Sequence, residues 1–394
     1  MRRMLILLAA VLSAACMQAQ EPQYKMILTL KDGRRMAALC DDIDSMRLAR
    51  LGQTRARLAE RYATSTSVAV TIGADEGVSR VRAVCVPRGE VPADPRALIE
   101  AQDPVGSPAP CARAFDFLAP STPYAVLAVA YNADGLPGEV ARLDVATGKR
   151  EDDPFAVELV RAGATTADYA VTPRDASISY YHILTGLDYY ASWQQEDGAA
   201  GDVLQHFVSM WRTFASWYGD TWQSLMRDDL RQGRSEGSAQ HLMWDAEQVI
   251  VAFGMTPEGE LATPIQVEKV RTAAPTPSDN EIAVEVTECR WGEVAVKATT
   301  SNNDAYFVTV QPESYVSQFA TSEELLVGLC YKADNLNPAA IARTADTDSE
   351  NGLWTFTPRP KEDTQYTVIA VGLDEGAPST KPVIKKITVP GGSF

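Results

Sequence analysis

Gly233-Arg-Ser-Glu-Gly237 sets a serine between flanking glycines, at the spacing of a nucleophile elbow. Such an elbow needs a strand before the serine and a helix after it, so that the hydroxyl stands on a sharp turn. Here the preceding segment has helical spacing and the following one reads as a short strand, so the match is read as chance. His182, His206 and His241 show no paired spacing such as H-E-x-x-H and are read as packed or solvated. Asp346-Thr-Asp-Ser-Glu-Asn-Gly352 is the best metal candidate, because Asp346, Asp348 and Glu350 at alternate positions offer the oxygens calcium prefers. Its glycine falls one residue late for an EF-hand loop and Leu353-Trp-Thr-Phe continues as strand. A solvated acidic loop is therefore the favoured reading, with no cofactor expected. For binding, the rings of Tyr189, Tyr190 and Trp193, flanked by Glu196 and Asp197, could stack on a sugar or clasp a peptide.

Composition narrows the partners. The formal net charge is −16, and it becomes two units more negative if Arg2 and Arg3 are removed with a signal segment. Such a surface repels phosphate backbones and disfavours nucleic acid. At 45% hydrophobic residues the chain is globular rather than disordered. Arg47, Arg50, Arg55, Arg57 and Arg61 cluster against this acidic body and read as a solvated linker, with contact to lipid-borne phosphates as the alternative. Beyond Cys16, five cysteines remain: Cys40, Cys85, Cys111, Cys289 and Cys330. None forms a C-x-x-C pair, so no zinc site is signalled. Cys85–Cys111 and Cys289–Cys330 bridges are conceivable, but small buried hydrophobes are the favoured reading.

Residues 1–20 read as a signal peptide: Met1-Arg2-Arg3 is basic, Met4 to Ala15 is apolar, and a small-residue stretch follows. The apolar run is too short to span a bilayer. Met17-Gln18-Ala19 fits ordinary signal peptidase. Ser13-Ala14-Ala15-Cys16 instead resembles a lipobox, with lipid on Cys16 as the one membrane attachment. The soluble form is favoured.

Three stretches align: Tyr124 to Tyr131, Gln248 to Met255 and Tyr366 to Leu373. Each is an apolar, β-rich run followed by a turn glycine (Gly135, Gly259, Gly376) and a second run at Glu139–Val145, Pro264–Val270 or Pro382–Val389. Upstream, Ser67–Ile72 leads to Val81–Val86, Asp168–Thr172 to Ile178–Ile183, and Glu293–Lys297 to Ala305–Val310. Alternating apolar and polar residues suit strands with one face buried, and facing antiparallel sheets bury them. The expectation is a mainly β chain of tandem sandwiches, at 63–150, 151–274 and 275–394, behind a β strap and linker at 21–62. Polar or proline-rich joints are expected near 148–153 and 273–279.

Leu118-x-Pro120-x-Thr122-x-Tyr124 resembles the fibronectin type III pattern at the entry to a late strand, where a tyrosine hydroxyl locks a corner against the backbone. Thr364-x-Tyr366 repeats it. The middle unit has Leu242, Ala246 and Gln248 instead, so its corner is expected to be lost. The strap, Tyr24-Lys-Met-Ile-Leu-Thr-Leu-Lys-Asp-Gly33 returning to Asp41-Asp-Ile-Asp-Ser-Met46, looks like the opening of many exported Bacteroidetes proteins, including fibronectin-like surface lipoproteins. That resemblance implies an exported protein at the cell surface, outer membrane or periplasm of a Gram-negative bacterium.

An insertion at 187–245 interrupts the middle unit. Val203, Leu204, Phe207, Met210, Trp211, Phe214, Trp217 and Tyr218 form one helical stripe, read as a core face, capped by Asp202 and stopped at Gly219. Asp220 is read as the cap of a second, shorter helix. The favoured function is a non-catalytic structural or adhesive surface module with an extracellular protein or glycan as partner. The alternative is a glycan-binding component of an envelope uptake system that uses the middle aromatics.

Overall fold

The computed structural model describes residues 24–29, 33–42, 54–105, 110–193, 203–332 and 337–393. The signal segment, Cys16, Arg47, Arg50, Glu196, Asp197 and the Asp202 cap lie outside the described residues. No helix among the described residues is long and apolar enough to cross a membrane. The chain divides into two units, Met1–Leu51 and Gly52–Phe394. In the first, β1 (Lys25–Thr29) pairs antiparallel with β2 (Arg35–Leu39), with Ile27 opposite Ala37.

The second unit holds paired antiparallel sheets in one repeating order. Strands β3 (Ala56–Ala63), β4 (Val68–Ala74) and β6 (Cys111–Phe115) face β5 (Val78–Pro87), β7 (Pro123–Asn132) and β8 (Pro137–Ala146). In the next pair, β9 (Phe155–Ala162), β10 (Ala167–Pro173) and β12 (Ser235–Ala239) face β11 (Tyr180–Gly186), β13 (Glu247–Gly254) and β14 (Gln266–Arg271). In the last, β15 (Ile282–Arg290), β16 (Glu293–Thr300) and β18 (Leu353–Phe356) face β17 (Tyr306–Pro312), β19 (Thr364–Asp374) and β21 (Val383–Val389), with β20 (Ala377–Pro378) on the end of β19. The residues from Ala56 on, read as linker, are thus strand. Arg55 and Arg57 pair with Glu139 and Asp75 and are not a free basic patch.

The aligned runs form β7, β13 and β19, and these are buried on both faces. In β7, Tyr124, Val126, Ala128 and Ala130 enter the core between sheets. Ala125, Leu127, Val129 and Tyr131 enter a second core with Ile99. Period-two alternation therefore divides one apolar run between two cores. The outer core needs a cover, and it comes from the same connection in every repeat: the one between the third and fourth strands. Helix α1 (Arg96–Glu100) supplies it first. Then come α2 (Leu187–Trp193), α3 (Val203–Tyr218) and α4 (Trp222–Asp229), and last α5 (Glu313–Val316), α6 (Ser322–Val327) and α7 (Pro338–Ile341). The sequence reading gave helices to the middle unit alone, so α1 and the third set are corrections. The third set had a signal: Thr321 accepts from the N–H of Glu324, whose carboxylate returns to the N–H of Ala320.

Gly219 stops α3 in a left-handed conformation at φ +71°, and Thr221 rather than Asp220 caps α4. Along α3 the buried positions are Val203, Phe207, Trp211 and Ala215. Trp217 and Tyr218, expected inward, are 70% and 75% exposed. Trp217 is rotated off the stripe; Tyr218 lies nearly a turn beyond Ala215, the last buried residue.

Corners differ from expectation in two of the repeats. The Tyr124 hydroxyl accepts from the N–H of Ala119 at 2.9 Å. In the middle unit the buried Gln248 takes that role, its Nε2 donating to the Met243 carbonyl, again five residues upstream, at 3.0 Å. Thr147 and Thr272 brace the same two residues, donating to the carbonyls of Ala119 and Met243. The Tyr366 hydroxyl makes no such bond among the described residues. Tyr124→Phe is expected to cost about 1 kcal/mol and Gln248→Ala at least as much, with Tyr366→Phe near zero, since one net hydrogen bond is worth about that amount. Chemical denaturation of the variants checks the ranking; a larger loss at Tyr366 than at Tyr124 would contradict it.

Candidate functional site

Of the rings expected to meet ligand, only Tyr189 is exposed, at 56%; Tyr190 and Trp193 are 2% and 1% exposed. The Tyr190 hydroxyl donates to Asp116 of the first sandwich at 2.7 Å, and Phe117 meets its ring edge-on. Trp193 stacks on His206, with centroids 4.8 Å apart, and packs against Phe207. Both are therefore corrected from ligand contacts to packing residues. Their spacing explains why: α2 turns Tyr190 and Trp193 towards the sheet and leaves Tyr189 on the outer side. Trp193 and His206 in turn hold the Tyr189 ring edge-on, at 5.4 and 6.4 Å.

Tyr189 borders a cleft of about 840 Å³ between the second and third sandwiches. Its floor is the end of β11, and its walls are the start of α2, the loop after β12, and Tyr331 with Lys332 from the third sandwich. His241 sits there at φ +58°, a strained conformation for a non-glycine residue. Its Nε2 donates to the Tyr331 carbonyl at 2.9 Å and its ring stacks on the Tyr331 ring. The Tyr331 hydroxyl donates to Asp188 Oδ1 at 3.4 Å, and the N–H of Tyr189 donates to the same oxygen at 2.9 Å. The exposed amide of Gln240 has no protein partner among the described residues. The cleft thus offers one exposed ring and several hydrogen-bonding groups, without a nucleophile–base pair.

Such a pair exists elsewhere, from residues read as unrelated. Ser235, inside Gly233–Gly237, lies 2.9 Å from His182 Nε2, and His182 Nδ1 lies 3.0 Å from the Tyr169 hydroxyl. This chain spans the middle sandwich, from β12 through β11 to β10. Its chemistry is that of a tie. Burial, with Arg231 adding repulsion, pushes His182 down to about 4, so the ring is neutral and a weak base. Burial likewise raises Tyr169, which offers no charge to stabilise an imidazolium. Ser235 opens a strand, as the sequence reading held, instead of a strand-to-helix turn.

The depressed His182 value sets a pH dependence. The unfolded ring takes up a proton below about 6.5 and the folded ring only near 4. Stability should be flat above pH 6.5, fall as the pH drops from 6.5 to 4, and lose roughly 2 kcal/mol, allowing for partial exposure. Denaturation across that window with His182→Gln, which should flatten the slope, checks this.

The acidic loop gives its carboxylates separate partners. Asp346 accepts from the Asn303 side chain at 2.7 Å. Asp348 accepts from the Tyr306 hydroxyl at 3.0 Å and pairs with Arg343 at 3.2 Å. Glu350 is exposed, and no group of three ligating side chains that could hold a metal is found among the described residues. Asp346 and Asp348, offered with Glu350 as calcium ligands, are thus bonded to groups of the protein itself. The five described cysteines are free, and burial raises Cys85 and Cys330 to about 12, far from a reactive thiolate.

No family model matches the chain, and no curated protein matches it. Among solved structures, the FN1–FN3 domains of chicken CNTN1 are similar over 84% of this chain and 97% of that one, at 12% identity and a TM-score of 0.19. The chain is mainly β, built of paired antiparallel sheets.

Proposed function

We propose that the chain is an exported, non-catalytic envelope module that holds tandem β-sandwiches at fixed angles and presents their loops to an extracellular protein or glycan. The observation that carries this reading is the construction of the junctions. At each one, a carboxylate from beyond the sandwich grips the loop between its first two strands. Asp153 accepts from the N–H of Ser65 at 2.7 Å and from its hydroxyl at 2.5 Å. Glu375 accepts from the N–H of Ala164 at 3.0 Å, from Thr166 at 3.1 Å, and pairs with Arg161 at 3.2 Å. The fit is close: a Cβ on Gly163 would stand 2.0 Å from the Glu375 carboxylate. Tyr190 with Asp116, and Lys269 over the Phe117 ring at 4.5 Å, add to the first junction.

Specific polar ties at both ends of the middle sandwich suit a strut, because a flexible string would need none. The basic and apolar start of the chain supports export, and its acidity argues against nucleic acid. Small-angle scattering tests the strut. The mature protein should fit one extended shape, and Glu375→Ala should broaden the distribution of distances. A wild-type curve that requires a flexible ensemble would overturn the reading. Fractionation of the expressing bacterium should find the protein outside the cytoplasm.

A further inference from the structure

We propose that the cleft between the second and third sandwiches binds a neutral saccharide, with Tyr189 stacking on a sugar ring and Asp188, Gln240 and Tyr331 bonding its hydroxyls. This rests on reading the chain as a binding module and gives that module a site. The polar groups converge by design of the floor. Gly186, at the end of β11, has no side chain, and a Cβ there would lie 2.8 Å from Asp188 Oδ1 and 3.1 Å from the Tyr331 hydroxyl. Any other residue would push these two groups apart. The same position would lie 3.7 Å from Gln248 Oε1, which is buried and has no hydrogen-bond partner among the described residues. The glycine thus lets the Asp188 carboxylate and the Tyr331 hydroxyl stand together at the floor of the cleft, with the Gln248 oxygen buried nearby.

The ring completes the pattern. Sugars present an apolar C–H face and an equatorial rim of hydroxyls, and so need one flat ring next to donors and acceptors. Tyr189 is exposed and yet held by Trp193 and His206, so little ordering entropy is lost on binding. Among the described residues, Lys332 is the one fixed cation lining the cleft and Asp188 the one carboxylate, which suits a neutral ligand better than an anionic one. A volume of about 840 Å³ accommodates a short oligosaccharide.

The test is calorimetric titration of the full mature chain with maltotriose, cellotriose, xylotriose and chitotriose at millimolar concentration. At least one should bind. Tyr189→Ala and Gly186→Ala should each weaken it about tenfold or more, equivalent to about 1.4 kcal/mol. Tyr189→Phe should retain it, and Trp217→Ala, on the other exposed rings, should leave it unchanged. Thermal melts of Tyr189→Ala guard against unfolding, since that ring is exposed. Absence of binding by all four sugars would overturn the proposal, as would binding that survives Tyr189→Ala or is lost with Trp217→Ala. Either failure would leave the scattering profile unchanged, so it is distinct from a failure of the strut.

Discussion

Trp211→Ala is expected to lower the stability of the middle sandwich by about 3–5 kcal/mol, the range for removing a large ring from a packed core. Trp211 is 1% exposed and lies where α3 crosses the outer face of β13. Tyr181 meets it edge-on at 5.6 Å, and Phe207 lies 5.9 Å away on the preceding turn. Its Nε1 donates to Asp229 at 2.8 Å, which fastens α4 to α3. The substitution therefore opens a cavity and frees a carboxylate at once. Trp211→Phe should cost less, because it keeps part of the volume and loses only the hydrogen bond and the second ring. Denaturant midpoints at constant slope check the order. A wild-type midpoint for Trp211→Ala would mean that α3 packs on a partner and not on its own sheet.

The strands were legible because their cause is local. Runs such as Tyr124 to Tyr131 are apolar and followed by turn glycines, and Gly135, Gly259 and Gly376 all adopt positive φ as those turns require. The same runs hid the second core. A strand buried on both faces gives an unbroken apolar run, and nothing in it says what covers the outer side. That is why α5 to α7 went unseen: each is six residues or fewer and shows little periodicity. In α3 the spacing located the buried stripe but not its end, because where the sheet stops is a tertiary fact. Gln248 misled for a different reason. Its amide reaches a backbone group five residues upstream, as the Tyr124 hydroxyl does, so the corner persists with a different residue. As for the site, Tyr189 was legible as a ring. Asp188 and Tyr331 are brought together from different sandwiches, and no local pattern in either stretch encodes that approach.

The acidic loop gives the second large effect: Asp348→Ala should destabilise the third sandwich by about 3 kcal/mol, the low end for breaking a buried ion pair by removing one partner. The Asp348 side chain is 4% exposed, and Arg343 is 26% exposed. Burial alone would raise its pKa. The N–H groups of Glu350 and Gly352, the Tyr306 hydroxyl and Arg343 together hold it below the usual carboxylate range. Since the folded value lies below the unfolded one, this stability is present above the unfolded pKa and is lost as the pH falls through the folded value. Truncation leaves Arg343 without its anion, stacked 3.9 Å over the Trp354 ring, and leaves buried donors unpaired. Asp348→Asn keeps some acceptor capacity and should cost less. Gly352 belongs to the same device. It sits at φ +82°, and a Cβ there would stand 2.0 Å from the Ala298 carbonyl, so Gly352→Ala should also destabilise. Thermal melts with added calcium or with chelator should coincide, because the carboxylate that would lead a calcium site is already committed to four donors. A calcium-dependent rise in the melting temperature that Asp348→Asn abolishes would show that the loop exchanges those donors for a metal.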